Sequence, residues 1–210
     1  MRILFLDTET GGLDETQYDL LSVGMVVWED NKIIDTKEIL ISKAEYKTDP
    51  EAMKVNGLDL LSLQKNGISE LMAIEEIEKF CDLYFSHDRV VLAGQNISFD
   101  EAFLKKLYRD HHYNYGKRFS HKKIDTVAIL KFLYLQGKIS EEMQSFEEAL
   151  KQLGIEVNKE IRHTALGDAI LTATLFTSLI TIENAQLSTR KSKKIWLNDD
   201  NLKGNILYNT

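Results

Sequence analysis

The chain has little of what marks a cross-linked or modular protein, since it contains one cysteine and one proline in 210 residues. A single cysteine excludes an internal disulfide, and Cys81 is expected to pack as a thiol on a helix face. No repeat, low-complexity segment or Gly- or Ser-rich linker interrupts the chain, which is long enough for a real core. We therefore expect one domain over residues 1–184 and a C-terminal extension over residues 185–210, basic and then apolar.

Positive charge is also scarce, because 26 Lys and Arg stand against 33 Asp and Glu, for a net charge of −7. Proteins that wrap long nucleic acids neutralise many phosphates with basic side chains. The balance therefore argues against a long duplex-binding surface. It does not argue against a site for a few terminal nucleotides, since bound cations reverse the sign of an acidic site locally.

Long hydrophobic runs are almost absent. Only the stretch 165–182 approaches the length of a membrane span, and it carries Asp168 near one end together with several Thr and Ser residues. We interpret it as a central core helix. Because Met1 is followed by a predicted strand rather than by a signal peptide, a cytoplasmic protein without membrane contact is expected.

The hydrophobic pattern predicts an α/β fold. Three partly alternating apolar segments come first, and the polar residues around Asn31 predict a hairpin turn, hence an antiparallel meander. The later order of strands and helices is β-α-β-like and indicates a mixed β-sheet flanked by α-helices. The predicted strands are Ile3 to Leu6, Leu20 to Trp28, Ile33 to Ile41, Val90 to Ala93 and, as strand or loop, Arg118 to Ile124; the predicted helices are short turns in Ala52 to Leu63, Glu70 to Phe85, one near Asp100, one from Asp125 or Thr126 to Leu135, and one opened by Ser145 and Glu148.

Two carboxylates follow the first apolar run, in the motif FLDTETGG. Asp7 and Glu9 are two residues apart, and such residues point to the same face of a strand. Both side chains could therefore reach one ion. Taken alone, the motif is more typical of a polar turn after a strand.

Asp100 stands at the start of a predicted helix, where a negative charge ordinarily interacts favourably with the positive end of the helix dipole. Ser98 and Glu101, however, have the spacing of a capping box. That assignment leaves Asp100 available for another role.

Asp168 is the only charged residue between Ala165 and Ile182. A helix that is apolar on nearly every face is buried, and a buried carboxylate is costly unless it is paired or holds a metal. The alternative is a partly exposed acid near the helix start. His163 lies in the approaching loop with Thr164 as the predicted N-cap, and the nearby helix dipole favours the neutral imidazole that a general base needs.

Taken together, the motifs FLDTETGGL, NISFD and HTALGDA resemble those of the DnaQ-like, or DEDDh, 3′–5′ exonucleases. That family includes proofreading subunits of bacterial DNA polymerases, ribonuclease T and oligoribonuclease. The residue four positions before Asp168 is Thr164 rather than the tyrosine of a related subgroup, and His163 stands five before, so the chain resembles the His-type enzymes. The resemblance covers roughly residues 2–183 and implies a ribonuclease H-like fold. All five family positions are filled, by Asp7, Glu9, Asp100, His163 and Asp168.

The resemblance also implies the roles of these residues. Asp7 is expected to bridge two metal ions, Glu9 and Asp168 to help hold one of them, and Asp100 to support the other. Hard oxygen ligands suit Mg²⁺ or Mn²⁺ and do not suit zinc. His163 is expected to accept a proton from the attacking water.

Substrate contacts are expected around the first motif. The backbone near Thr8 and Thr10 should approach the 3′-terminal sugar and phosphate, and Leu13 resembles the family's apolar wedge between the last bases. Gly11 and Gly12 would let the chain turn closely against the substrate. Asn96 and Phe99 are predicted to line the cleft, with a core position as the alternative for Phe99. The remaining histidines, His87, His111, His112 and His121, are interpreted as surface or loop residues.

The implied activity is release of 5′-mononucleotides from the 3′ end of single-stranded nucleic acid, with DNA favoured, as in proofreading or repair. An RNA-trimming exoribonuclease or oligoribonuclease is one alternative, and a non-catalytic subunit that binds a DNA polymerase or another replication protein is the other. A homodimer is also left open by the resemblance. The basic run 190–194 beside Trp196 is typical of a solvated tail, with a nucleic-acid clamp or a partner-binding peptide as the sharper hypothesis.

Overall fold

A mixed five-stranded sheet organises the chain, in the order β3-β2-β1-β4-β5. The computed structural model describes residues 1–86, 88–157 and 162–189. The strands are β1 Arg2–Thr10, β2 Leu20–Glu29, β3 Lys32–Leu40, β4 Val90–Gly94 and β5 Phe119–Asp125. The helices are α1 Pro50–Asn56, α2 Leu60–Asn66, α3 Glu70–Phe85, α4 Ile97–Asp110, α5 Tyr115–Arg118, α6 Thr126–Leu135, α7 Phe146–Gln152 and α8 Ala165–Thr189, with a 3₁₀ turn at Glu142–Gln144.

The first three strands form the predicted antiparallel meander. Asp30 and Asn31 both have positive φ, as a two-residue hairpin turn between twisted strands requires. β1 is longer than the predicted strand, because β2 pairs with it as far as Glu9 and Thr10. Asp7 and Glu9 therefore lie within the strand rather than after it.

The parallel strands of the sheet bring their carboxyl ends to one edge, where a functional site can form. β4 is parallel to β1, and β5 is parallel to β4. Their carboxyl ends therefore lie at the same edge, where ligands bind in open α/β sheets. The chain leaves β4 at that edge and enters α4, which carries Asp100.

Helices cover both faces of the sheet. Leu4 and Leu6 of β1 belong to one large core cluster with residues of α3 and α4, such as Ile77 and Phe103. On the opposite face, Phe5 meets Phe176 of α8, with ring centroids 5.3 Å apart. The alternation of side chains along β1 thus contributes to two separate apolar layers.

One predicted cap is wrong. Ser98 lies inside α4 rather than before it, because Asn96 adopts a left-handed conformation with φ 57° and the helix starts at Ile97. The Glu101 carboxylate accepts hydrogen bonds from Lys123 and from the Tyr115 hydroxyl instead of capping the helix.

Other predicted caps are confirmed in whole or in part. The Asp125 carboxylate accepts from the Val127 amide at the start of α6. The Ser145 hydroxyl accepts from the Glu148 amide at 3.2 Å, but the Glu148 side chain contacts Lys151 and Gln152 and does not complete a capping box. The reason is that the Ser145 amide already donates to the carbonyl of Glu142.

Cys81 is fully buried on α3, as expected, and burial raises the pKa of its thiol to about 12. Residues 1–178 form one compact unit, and a second unit begins at residue 179. The predicted basic run 190–194 and Trp196 lie outside the described residues, as does His87. Within the described residues, no helix is both long and apolar enough to cross a membrane.

Candidate active site

The first strand presents two carboxylates on one face. Phe5, Asp7 and Glu9 alternate with Leu4, Leu6 and Thr8 along β1, so the first three share the face on which Phe176 of α8 packs. This part of the prediction rested on strand geometry alone. Because β1 continues to Thr10, both carboxylates project from a regular, hydrogen-bonded strand.

A glycine in the neighbouring strand lets α8 approach the sheet. Gly24 lies opposite Asp7 in the β1–β2 register. A Cβ placed on Gly24 would stand 2.2 Å from the carbonyl carbon and oxygen of Ala165 and 2.3 Å from the Leu166 nitrogen. The first turn of α8 therefore touches the backbone of β2 directly beside Asp7.

Contacts farther along α8 fix its position on the sheet. The Trp28 indole donates to the Thr177 hydroxyl at 2.8 Å, and its ring meets Phe176 edge-on at 5.3 Å. At the start of the helix, the Thr164 hydroxyl accepts from the Gly167 amide at 3.0 Å, which confirms the predicted N-cap. The helix is thus held at both ends of its contact with the sheet.

The result is a three-carboxylate cluster. One oxygen each from Asp7, Glu9 and Asp168 can be chosen so that all lie within 4.8 Å of one another. Within the described chain, Oδ1 of Asp168 is the one buried side-chain oxygen or nitrogen without a hydrogen-bond partner. Buried oxygens of this kind are expected to be satisfied by a cation or by water.

The raised pKa values of the clustered carboxyl groups also favour a bound cation. Burial raises the pKa of the Asp7 carboxyl well above its usual range, and the negative charges of Asp100, Asp168 and Glu9 add to this effect. Burial, then Asp168 and Asp100, raise the pKa of Glu9 to about 8. Carboxylates crowded in this way repel one another and favour either protons or a bound cation.

Asp100 is held from the other side of β1. Its Oδ1 accepts from the Thr8 amide at 2.8 Å and from the Thr8 hydroxyl at 2.7 Å. Burial raises the pKa of Asp100 to about 7, although the two hydrogen bonds from Thr8 act to lower it. The three acids with close ligand oxygens are Asp7, Glu9 and Asp168. Asp100 affects this cluster through its negative charge, which raises the pKa of Asp7.

Arg162 is a site residue that the sequence pattern did not reveal. Its guanidinium pairs with Asp168 Oδ2 and reaches Glu147 Oε1 at 3.2 Å. It also lies over the Phe146 ring, 5.5 Å from the centroid. The only signal in the sequence was its place beside His163.

His163 lies where the sequence predicted, in the turn before α8. Its side chain is exposed and its backbone is left-handed, with φ 64°. The imidazole is therefore accessible to solvent, five residues before Asp168 in the chain, and its catalytic role stays a prediction.

The predicted substrate residues differ in accessibility. Leu13 is 85% exposed shortly after the first strand. Asn96 is exposed in the loop before α4, where its backbone amide donates to the Asp125 carboxylate. Phe99 is half-buried against the core, with its ring centroid 5.2 Å from that of Phe103. Part of the Phe99 side chain therefore packs in the core, as the alternative prediction proposed, and its contact with substrate stays a prediction.

The neighbouring threonines and glycines are used inside the protein. Both donors of Thr8 serve Asp100, and the Thr10 hydroxyl donates to the Gly12 carbonyl at 2.7 Å. A Cβ on Gly11 would stand 2.4 Å from the carbonyl oxygen of Lys47, and one on Gly12 would stand 2.3 Å from the Tyr18 ring. Both glycines permit a close approach within the chain itself, and their predicted contact with substrate stays a prediction.

A family model described as Exonuclease, RNase_T, matches residues 4–176. The chain is 29% identical to the 3′-5′ exonuclease DinG of Staphylococcus saprophyticus over 81% of its own length but only 17% of the relative's. It is 27% identical to ribonuclease T of Wigglesworthia glossinidia brevipalpis, covering 83% of this chain and 82% of that protein.

Among solved structures, the chain is similar to Escherichia coli exonuclease I in complex with a dT13 oligonucleotide, with a TM-score of 0.75 and 17% identity. The match covers 89% of this chain and 42% of that one. At this identity the likeness establishes the fold, which is the ribonuclease H-like arrangement that the sequence motifs predicted.

Proposed function

The chain belongs to the DnaQ-like exonuclease family, and on that premise we propose that it is a metal-dependent 3′–5′ exonuclease that releases 5′-mononucleotides from single-stranded nucleic acid, with DNA favoured. Family membership makes the chain a nuclease domain. The observation that carries the finer proposal is the convergence of Asp7, Glu9 and Asp168, whose ligand oxygens lie within 4.8 Å of one another.

The donor set suits divalent cations of the hard class. All the converging atoms are carboxylate oxygens, which Mg²⁺ and Mn²⁺ prefer, and no cysteine or histidine belongs to the set found in the described residues. The buried Asp168 Oδ1 supplies an oxygen that still needs a partner. Asp7, Glu9 and Asp168 would hold the cations, with Asp100 as the fourth acid. When bound, two such ions polarise the phosphodiester and make water more acidic.

The chain's own residues would supply orientation and proton transfer. Thr8 fixes the Asp100 carboxylate through two hydrogen bonds, so this acid is preorganised before substrate arrives. His163, exposed in the turn before α8, would accept the proton of the attacking water. Its neighbour Thr164 caps the helix that carries Asp168.

Exposed apolar and polar groups at the carboxyl edge of the sheet would bind the substrate end. Leu13 offers an apolar side chain against which a terminal base could pack. Asn96 lies in the loop at the same edge. The net charge of −7 argues against a long duplex-wrapping surface and is compatible with a site for a few terminal nucleotides.

RNA is the second candidate substrate. Ribonuclease T is similar to this chain over most of both lengths, whereas the chain spans only a small part of DinG. Discrimination between the sugars depends on contacts to the 2′-hydroxyl, which the acids do not make.

Matched DNA and RNA oligonucleotides of several lengths, labelled at the 5′ end, would test the substrate proposal. Faster shortening of the DNA series from its 3′ end supports a DNA exonuclease. Faster shortening of the RNA series would replace it with the ribonuclease. A dependence on length would identify a preference for short oligonucleotides. Light scattering with and without oligonucleotide would decide whether the chain acts as a homodimer, and a polymerase as partner stays a prediction.

A further inference from the structure

The acidic cluster already contains a cation of the protein itself. The guanidinium of Arg162 pairs with Asp168 Oδ2, and the Arg162 side chain is only 17% exposed. Its positive charge also lowers the pKa of both Asp7 and Glu9 against the effect of burial. Arg162 therefore acts electrostatically on all three carboxylates that converge in the cluster.

The same guanidinium has a second set of partners away from the cluster. Its Nη2 lies 3.2 Å from Glu147 Oε1 at the start of α7, and the guanidinium covers the Phe146 ring at 5.5 Å. Glu147 is 78% exposed, so it marks the solvent side of the arginine. The arginine thus joins the cluster to a carboxylate and a ring outside it.

A divalent cation at the cluster and the present Arg162–Asp168 pair oppose each other. Both draw on the Asp168 carboxylate, and two positive charges a few ångström apart in a partly buried site repel. The planar guanidinium already contacts another carboxylate and an aromatic face, and these contacts can hold it after it releases Asp168.

We propose that Arg162 is the counter-ion that the cluster exchanges for a divalent cation, releasing Asp168 and keeping its contacts with Glu147 and Phe146 when the cation binds. Arg162 then sets the cation affinity of the site and stabilises the acids when no cation is bound. The inference rests on the proposed cation site. It predicts that removing the Arg162 charge and removing the Glu147 charge change the cation affinity in opposite directions.

The test is a titration of the full chain with Mn²⁺, followed by calorimetry or by the electron paramagnetic resonance signal of free Mn²⁺. Arg162→Gln removes the competing charge and should bind Mn²⁺ about fivefold more tightly or better, the low end of ordinary coupling between two ligands. Glu147→Gln removes the charged partner that the arginine keeps after it releases Asp168, and it should weaken Mn²⁺ binding about twofold, as expected for an exposed pair. Arg162→Lys, which keeps the charge, should restore most of the wild-type affinity.

Arg118 offers a matched control. It also pairs with two carboxylates, Glu78 and Asp82, and is 14% exposed, but it lies at the opposite end of β5 from the catalytic edge. Arg118→Gln should lower the melting temperature equally with and without Mn²⁺ and leave Mn²⁺ affinity unchanged. Arg162→Gln should lower the melting temperature only without Mn²⁺.

Unchanged or weaker Mn²⁺ binding by Arg162→Gln, or tighter binding by Glu147→Gln, would overturn the exchange. These results differ from failure of the proposed function itself. If the wild-type chain binds no Mn²⁺, or binds it equally well after Asp7→Asn, the cation site is wrong and the exchange fails with it. If Asp7→Asn abolishes binding while Arg162→Gln matches wild type, only the exchange is wrong.

Discussion

Gly24 lies opposite Asp7 across the β1–β2 pair, and its missing side chain is what lets the first turn of α8 rest on the sheet beside that acid. The backbone of Ala165 occupies the space that a Cβ would need. Asp168 is three residues farther along the same helix. One glycine therefore links the strand that carries two acids to the helix that carries the third.

Gly24→Ala should destabilise the fold and separate the acids. The added Cβ would meet backbone rather than a mobile side chain, so we expect a loss of about 1–3 kcal/mol in the free energy of unfolding and weaker cation binding. Urea unfolding and Mn²⁺ titration would measure both. Gly116→Ala is the control, because a Cβ there meets only Asn114 Oδ1 at 3.6 Å. Equal stability of the two variants would contradict the close contact.

Thr8→Val should lower turnover because it leaves Asp100 without its hydroxyl donor. A lost hydrogen bond to a buried charged group costs about 1.5–3 kcal/mol, so stability should fall as well. Thr16 provides a matched control, since its amide and hydroxyl donate to Asp14 Oδ1 at 2.9 and 2.6 Å in the same pattern at an exposed position. Thr16→Val should change unfolding by a few tenths of a kcal/mol at most. Similar losses in both variants would show that burial of the Asp100 contact is irrelevant.

Without divalent cations, the protein should lose stability as the pH rises. The folded-state pKa of Glu9 is raised to about 8, so the folded chain binds more protons than the unfolded chain above the ordinary pKa. The contribution is complete below about pH 4 and is lost as the pH passes through about 8, for a change on the order of 2 kcal/mol after allowance for solvent.

Melting temperatures in EDTA between about pH 5 and about pH 8 would measure this loss. Glu9→Gln should reduce the slope of the profile because the amide does not titrate, while Asp7 and Asp100, whose pKa values are also raised, retain part of it. Saturating Mn²⁺ should also flatten it, since the cation stabilises the ionised acids. A wild-type melting temperature that rises with pH in EDTA would contradict the raised pKa.

His163→Ala should lower turnover by about 10²- to 10⁴-fold while preserving the fold and Mn²⁺ binding, as expected for loss of a general base. His112→Ala is the control, because His112 is likewise exposed and left-handed, with φ 60° against 64° for His163. Single-turnover cleavage with saturating cation would compare them. Near-normal turnover of His163→Ala would remove the general-base role.

Much of the fold followed from local patterns in the sequence. The apolar segments that form β2 and β3 and the turn residue Asn31 predicted the meander, and α3 has the predicted bounds of Glu70 and Phe85. The strand period also placed Asp7 and Glu9 on one face. These features depend on neighbours in sequence, which is why they could be predicted.

Other features depend on contacts between distant segments. Gly24 is an ordinary strand glycine until the backbone of Ala165 is placed against it. Ser98 has a capping-box spacing, but the left-handed Asn96 starts α4 earlier. Arg162 gains its role only when α7 and α8 bring Glu147 and Asp168 to its two sides. Local sequence patterns do not predict contacts between residues that are distant in the chain.

The most direct test of the account is the cleavage of a 5′-labelled single-stranded DNA and its RNA counterpart by the wild-type chain and by Asp7→Asn, each with Mg²⁺ and with EDTA. We predict a ladder that shortens from the 3′ end, releases 5′-mononucleotides, needs Mg²⁺ and disappears in Asp7→Asn. Cleavage that persists in EDTA or in Asp7→Asn, or no cleavage of either strand by the wild-type chain, would contradict the proposed exonuclease site.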